Sequence, residues 1–401
     1  MLTVPVDAVD FLFKPLKIAI ITVVVQACHR ETFKVLWRTV KDKTMRLSLI
    51  WLLIASLGQA YLEAAMGFCY PVVSVNQDSF LLIYQKSLGD LELWRYFPAT
   101  KELNKCLDWR FVPLGLKVLP DQSGFSFVDA GRLRIKRFIM RSPKTIDFDL
   151  PVYGVSELNW LDLQTCYFSA KQHGDSDYFA IFKGDVTKTH LVCWYQWPES
   201  DCLCPAVLNQ QLFYVARDGH DRATQIRVLD LTQRRLSPEL ILNCNFQQII
   251  NLQMLNSTSG FYVEHMPYLR EEIGLVSFIC HVFSKTKNWQ EIGQFKFQIP
   301  RHYLLGEERA QESIGIFLPR VQKTLLYFAD FKQNQFGITT TSINSYDLIT
   351  GKIQQILEAS PGETIFAPLI YQDRLYYGKI LKQELDSESL ISTGIGQVIK
   401  R

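Results

Sequence analysis

The chain has 401 residues, 48% of them hydrophobic and 21% charged, with a formal net charge of +3. That composition excludes a disordered tail and supplies ample material for a buried core. Residues 1–60 hold eight Lys/Arg against four Asp/Glu, so the remainder carries a net −1 and does not resemble a nucleic-acid binder.

Two apolar runs lie in the basic N-terminal segment: IAIITVVVQA at residues 18–27 and LSLIWLLIASLGQA at residues 47–60. Neither reaches the roughly 20 apolar residues of a comfortable membrane span, and each has the length of a signal-peptide core. The second follows Lys41, Lys43 and Arg46 and ends in the small residues Gly58 and Ala60. It reads as a signal peptide or membrane anchor over 45–60, with Met45 as an alternative start and 1–44 as a basic, apolar extension. A rival lipidation signal at Cys28 is poor, because Gln26 stands where a small residue is wanted. Export to a periplasmic or other extracytoplasmic space is the expectation. The eight cysteines beyond Cys28 are an even number compatible with disulfides there. Cys166, Cys193 and Cys280 fall inside strand patterns and read as buried small hydrophobes.

From residue 70 a single pattern recurs to the end of the chain. An aromatic strand appears as FLLIYQ, GFSFVD, CYFSAK, LFYVA, GFYVEH, LLYFAD and LYYGKI. Taking Tyr84, Phe127, Phe168, Tyr214, Tyr262, Phe328 and Tyr377 as equivalent gives spacings of 43, 41, 46, 48, 66 and 49 residues. Each copy follows a short apolar segment, from YPVVSV to IFAPLIY, and precedes a second alternating strand such as LELWRYF or QIRVLDL. A unit of roughly 40 to 50 residues carrying four short strands is the blade of a β-propeller. An all-β chain could also be a sandwich, but the fixed strand order favours the propeller over 70–401. Seven blades are expected. Six is the alternative, if the segment from Tyr70 joins the last sheet and the C-terminal residues do not complete it. The aromatic positions read as filler between face-packed blades.

Candidate functional residues are few. There is no G-x-S-x-G elbow, no phosphate-binding loop and no H-E-x-x-H helix in the sequence. No catalytic residue, cofactor or metal site is therefore assigned, and Cys202-Leu203-Cys204 has the wrong spacing for zinc. His173 and His220 fall at equivalent turns, where they are either a polar rim or plain turn chemistry. Trp194, Tyr195 and Trp197 in CWYQWPESDC form either an exposed binding patch or the cover of a sheet edge. These five residues are the candidate interaction surface. His265, His281, Glu157 and Asp373 are the contributors to consider if the channel holds a catalytic site.

The run Arg217-Asp218-Gly219-His220, four residues, then Gln225-Ile-Arg-Val-Leu-Asp-Leu231 resembles the repeat of the periplasmic protein TolB and related propellers. Residues 345–352, SYDLITGK, look like the end of the same repeat, and RYFPATK at 95–101 is a weaker echo. The family's S-P-D-G opening is missing, with Pro120-Asp121-Gln122-Ser123-Gly124 the nearest form. Its N-terminal α/β domain has no counterpart between Ala60 and the first repeat. The resemblance implies a monomeric, non-catalytic propeller that binds an envelope protein or peptide, with membrane association through the N-terminal segment. A propeller hydrolase, lyase or lactonase with its site in the central channel is the alternative.

Overall fold

The computed structural model describes residues 68–399, apart from 88–89, 110–113, 130–133, 140–151, 154, 173–177, 186, 188–189, 198, 219–223, 234–236, 245–247, 267–273, 302–316, 334–338, 361–362 and 381–394. The extension at 1–44, the leader at 45–60, His173 and His220 lie outside them. Residues 67–401 form one compact unit.

Every described segment of that unit longer than a turn is a strand, save one short 3-10 turn at Lys285–Lys287. The first repeat gives β1 (Phe68–Ser74), β2 (Phe80–Ser87), β3 (Asp90–Phe97) and β4 (Glu102–Trp109). The second gives β5 (Leu114–Val118), β6 (Gly124–Asp129) and β7 (Arg134–Ile139). The third gives β8 (Val152–Tyr153), β9 (Asn159–Trp160), β10 (Thr165–Gln172), β11 (Ala180–Asp185) and β12 (His190–Tyr195). The fourth gives β13 (Ser200–Leu208), β14 (Gln211–Asp218), β15 (Thr224–Asp230) and β16 (Glu239–Asn243). The fifth gives β17 (Gln248–Asn256), β18 (Ser259–His265), β19 (Leu275–Ser284) and β20 (Gln290–Pro300). The sixth gives β21 (Arg320–Gln322), β22 (Leu325–Gln333), β23 (Thr339–Asp347) and β24 (Ile353–Glu358). The last gives β25 (Ile365–Tyr371), β26 (Arg374–Ile380) and β27 (Ile395–Ile399).

These strands build an all-β propeller in which neighbours in sequence pair antiparallel. The blade count corrects the sequence reading: the described residues form five blades of four or more strands, not seven or six. One reason is fusion. Phe68 and Cys69 pair with Ile380 and Lys379 of β26, so the first and last repeats share one seven-stranded sheet. The C-terminal strand β27 pairs the same edge of β26 through Arg374 to Gly378, so that edge takes both chain ends, which the sequence reading had set as alternatives. Gly378 permits the join, because a Cβ there would lie 2.6 Å from Tyr70 Cβ and 2.8 Å from the Cys69 carbonyl. The second reason is that the second repeat contributes a three-stranded sheet.

The aromatic positions do what their spacing suggests. Tyr84, Phe127, Tyr214, Tyr262, Phe328 and Tyr377 each lie on the second strand of their repeat, Phe168 lies on β10 after the short β8 and β9, and all are buried. They pack face to face between sheets, as where Phe328 stacks on Phe295 of the preceding sheet at 4.3 Å between centroids. The D-L motif that ends the third strands also has a physical role. Asp230 accepts hydrogen bonds from Thr232 N and Oγ1, and Asp347 accepts from Ile349 N and Thr350 N. Asp185 does the same for Thr187. These are Asx turns, in which the carboxylate replaces the missing backbone partner of a tight hairpin. The bonds from Thr232 hold the Asp230 carboxyl below its usual pKa, and those from Ile349 and Thr350 do so for Asp347.

The first strands differ from the rest. Except in the fused sheet, where β1 is internal and β25 is terminal, the first strand ends its sheet with one edge unpaired. Successive first strands lie against one another: β13 against β17, β21 against β25, and β1 against both β25 and β5. They therefore line the centre. Most are broken at the same place by a bulge, between Pro71 and Val73, Leu114 and Lys117, Leu203 and Ala206, Ile249 and Asn251, and Phe366 and Leu369. Pro71, Pro205 and Pro368 belong to these breaks, since proline is tolerated at a sheet edge or bulge but not inside a ladder. Cys204 and Ala367 take the left-handed backbone there, with φ of 48° and 49°.

All eight cysteines of the described residues are free thiols. Cys166 and Cys280 are buried as expected, whereas Cys193 is exposed because it points outward from the outer strand β12.

Candidate functional site

Three groups of side chains stand apart from the packing. The first is the aromatic cluster. Trp194 and Tyr195 end β12, and Trp197 follows in the link to β13; all three are half-buried. Their inner faces close the gap between the third and fourth sheets. Trp194 meets Tyr167 edge to face at 5.1 Å, and Tyr195 meets Tyr214 at 5.8 Å. The guanidinium of Arg227 on β15 lies over the Trp197 ring at 4.3 Å. Gln225 fixes it there, its Oε1 accepting from Arg227 Nε at 2.9 Å and Nη2 at 2.7 Å. Val192, two residues before Trp194, is 42% exposed. The cluster is thus both cover and surface: rings anchored below, with Arg, Trp and Tyr edges presented above.

The second group is charged and was missed as a unit from the sequence. His281 on β19 stacks on Tyr262 of β18 at 4.6 Å and 11°. Its Nε2 meets Glu264 Oε2 and its Nδ1 meets Glu291 Oε2, each at 2.9 Å. Two carboxylate oxygens facing both ring nitrogens require two N–H donors, hence the imidazolium. Burial opposes that charge, but the bonds and charges of Glu264 and Glu291 outweigh it and raise the His281 pKa above its usual 6.5. Cys244, just past β16 of the neighbouring sheet, bonds to Tyr262; burial raises its thiol pKa to about 12. The cross-strand positions 262, 264 and 281 carried this cluster in the register, which single-strand patterns do not display.

The third group lines the first strands. Lys117 on β5 and Glu157, between β8 and β9, form an ion pair at 2.7 Å. Burial raises the Cys204 thiol pKa to about 12, and the charge of Glu157 pushes it the same way. Arg320 on β21 donates from Nη1 to the Pro71 carbonyl at 2.9 Å, joining first strands of two different sheets.

Of the four channel candidates read from sequence, Glu157 lies in the link between β8 and β9 and is paired with Lys117 of the first strand β5. His281 is on a third strand and meets Tyr262, Glu264 and Glu291 of its own sheet. His265 ends β18 and meets Gln248 at 3.4 Å. Asp373 sits in the exposed turn after β25, 3.5 Å from Lys323. Among the described residues, no group of three or more His, Cys, Asp or Glu side chains is placed to hold a metal ion.

No protein-family model matches the chain, and no curated protein does. Solved structures do match it. An oligogalacturonate lyase from Vibrio parahaemolyticus superposes with a TM-score of 0.51 and 11% identity, over 79% of this chain and 89% of that one. An uncharacterized protein from Listeria monocytogenes gives 0.46 at 14% identity, over 78% and 89% of the two chains. A putative TolB from Agrobacterium tumefaciens gives 0.39 at 16% identity, over 57% and 81%. At such identities the likeness is one of fold, and its neighbours include TolB-like and oligogalacturonate lyase propellers.

Proposed function

We propose that the protein is an exported β-propeller serving as an interaction scaffold in a bacterial cell envelope, with an envelope protein or peptide as its partner. The observation that carries this reading is the cluster of Trp194, Tyr195 and Trp197 with Arg227 held over a ring. Rings and a guanidinium immobilised before binding lose little side-chain entropy on contact, and Trp, Tyr and Arg dominate binding hot spots. The basic, apolar segment at 45–60 supports export, and the same segment would supply membrane association. His173 and His220, which the sequence reading grouped with the cluster, belong to the proposed surface as candidates. The test is capture from envelope extract by the wild-type protein and by Trp197→Ala. A partner retained by the wild type and lost by the variant at unchanged fold supports the reading; equal capture by both contradicts it.

A second reading, an enzyme acting in the channel, is favoured by the ion pair between Lys117 on the first strand β5 and Glu157. Oligogalacturonate, named for a structural neighbour, is the first substrate to try. Turnover by the wild type that disappears in Glu157→Gln would establish it, and no turnover by the wild type would count against that substrate.

A further inference from the structure

Arg320 is half-buried on β21, the first strand of its sheet. Its only hydrogen-bond acceptor among the described residues is the Pro71 carbonyl, which the bulge of β1 turns off the ladder. No carboxylate among the described residues pairs with it. Burial draws its pKa down to about 10, so it stays charged at neutral pH while its lost hydration is only partly repaid. A guanidinium offers five N–H donors in a rigid plane, and among the described residues only the bond from Nη1 to the Pro71 carbonyl takes one up. Two residues on, Gln322 shares the same strand face, and its buried Oε1 has no hydrogen-bond partner. Among the described residues, a charged fork short of an acceptor and a carbonyl oxygen short of a donor therefore share one strand face.

We infer that Arg320 and Gln322 form a binding site in the channel for a small carboxylate that carries a hydroxyl or ammonium donor next to its acid group. The planar fork matches the two oxygens of a carboxylate. The neighbouring donor of the ligand satisfies Gln322 Oε1. Phosphate fits worse, because its tetrahedral oxygens match the planar pairing less well than a carboxylate's two and its second charge at neutral pH would lie against the Gln322 oxygen. The site is independent of the outer aromatic surface.

The experiment is ligand-observed saturation-transfer NMR on the full chain, with lactate, alanine, acetate and inorganic phosphate as probes. Lactate or alanine should bind at least tenfold more tightly than acetate, with phosphate weakest. Whichever of the two leads identifies the donor as hydroxyl or ammonium. Gln322→Ala should bring the leading acid down to the acetate level. Arg320→Lys should lose tenfold or more, since one ammonium replaces a fork, and Arg320→Gln should lose binding altogether. The inference is overturned if the wild type binds none of the carboxylates, if phosphate binds best, or if Arg320→Gln keeps its affinity. Should Arg320→Gln fail to fold, the Gln322→Ala comparison decides alone, and an unchanged preference there also overturns it.

Discussion

Tyr214 is the residue whose removal tests the packing most sharply. It is fully buried on β14 and meets Tyr195 edge to face, with the two hydroxyls 3.5 Å apart. An aromatic side chain buries on the order of 150–250 Å², worth roughly 4–6 kcal/mol at about 25 cal/mol per Å². Alanine keeps part of that, so Tyr214→Ala should cost roughly 3–5 kcal/mol, in line with other buried aromatic truncations. Tyr214→Phe removes only the long hydroxyl contact and should cost about 0.5–1.5 kcal/mol. Chemical denaturation followed by tryptophan fluorescence reads both, since Trp194 and Trp197 flank the site. The reasoning fails if Tyr214→Ala unfolds at the wild-type midpoint while losing a binding partner, for then the ring is a ligand platform and not filler.

The His281 cluster gives a signed pH dependence. Its folded pKa is raised, so its stabilisation is fully present below about pH 6.5 and is lost as pH rises through the folded pKa. Denaturation of wild type and Glu264→Gln across the pH range should show a gap that is widest in acid and narrows in base; a constant gap would contradict it. Gly378→Ala should loosen the join between β1 and β26, because the Cys69 carbonyl, a backbone atom, must move. Faster hydrogen exchange confined to β1 and β26 is expected, and unchanged exchange would refute the close approach. Brief alkylation followed by mass spectrometry should label Cys193 before any other cysteine from 69 to 280, as it is the one exposed thiol among them. Resistance of all eight would point to disulfides instead.

The second strands were legible because one aromatic per repeat, at spacings of 41 to 66 residues, is a periodic signal that can be read without knowing the strand pairing. The D-L ending was equally plain, and its Asx turns explain why a carboxylate recurs there. Blade number was not legible. Counting strands cannot reveal that Phe68 and Cys69 pair with the last repeat, since this depends on contacts about 310 residues apart along the chain. The channel groups were hidden for a different reason. Bulges at Pro71, Cys204 and Ala367 break the period-two alternation, so which side chain of a first strand faces the centre does not follow from its position. Glu157, in the link between β8 and β9, was found, and Arg320, on the first strand β21, was not. The aromatic cluster was read as patch or cover, and its half-buried rings serve as cover on one side.

The most direct test of the scaffold reading is site-specific photo-crosslinking from position 196, the exposed residue between Tyr195 and Trp197. A photoreactive residue in place of Gln196, in cells that export the protein, should trap one discrete envelope partner. The adduct should vanish when Trp194 or Trp197 is replaced by alanine in a chain that still folds. An adduct that persists in those variants, or none at all while the protein is correctly exported, would contradict the proposal that this surface is where the propeller works.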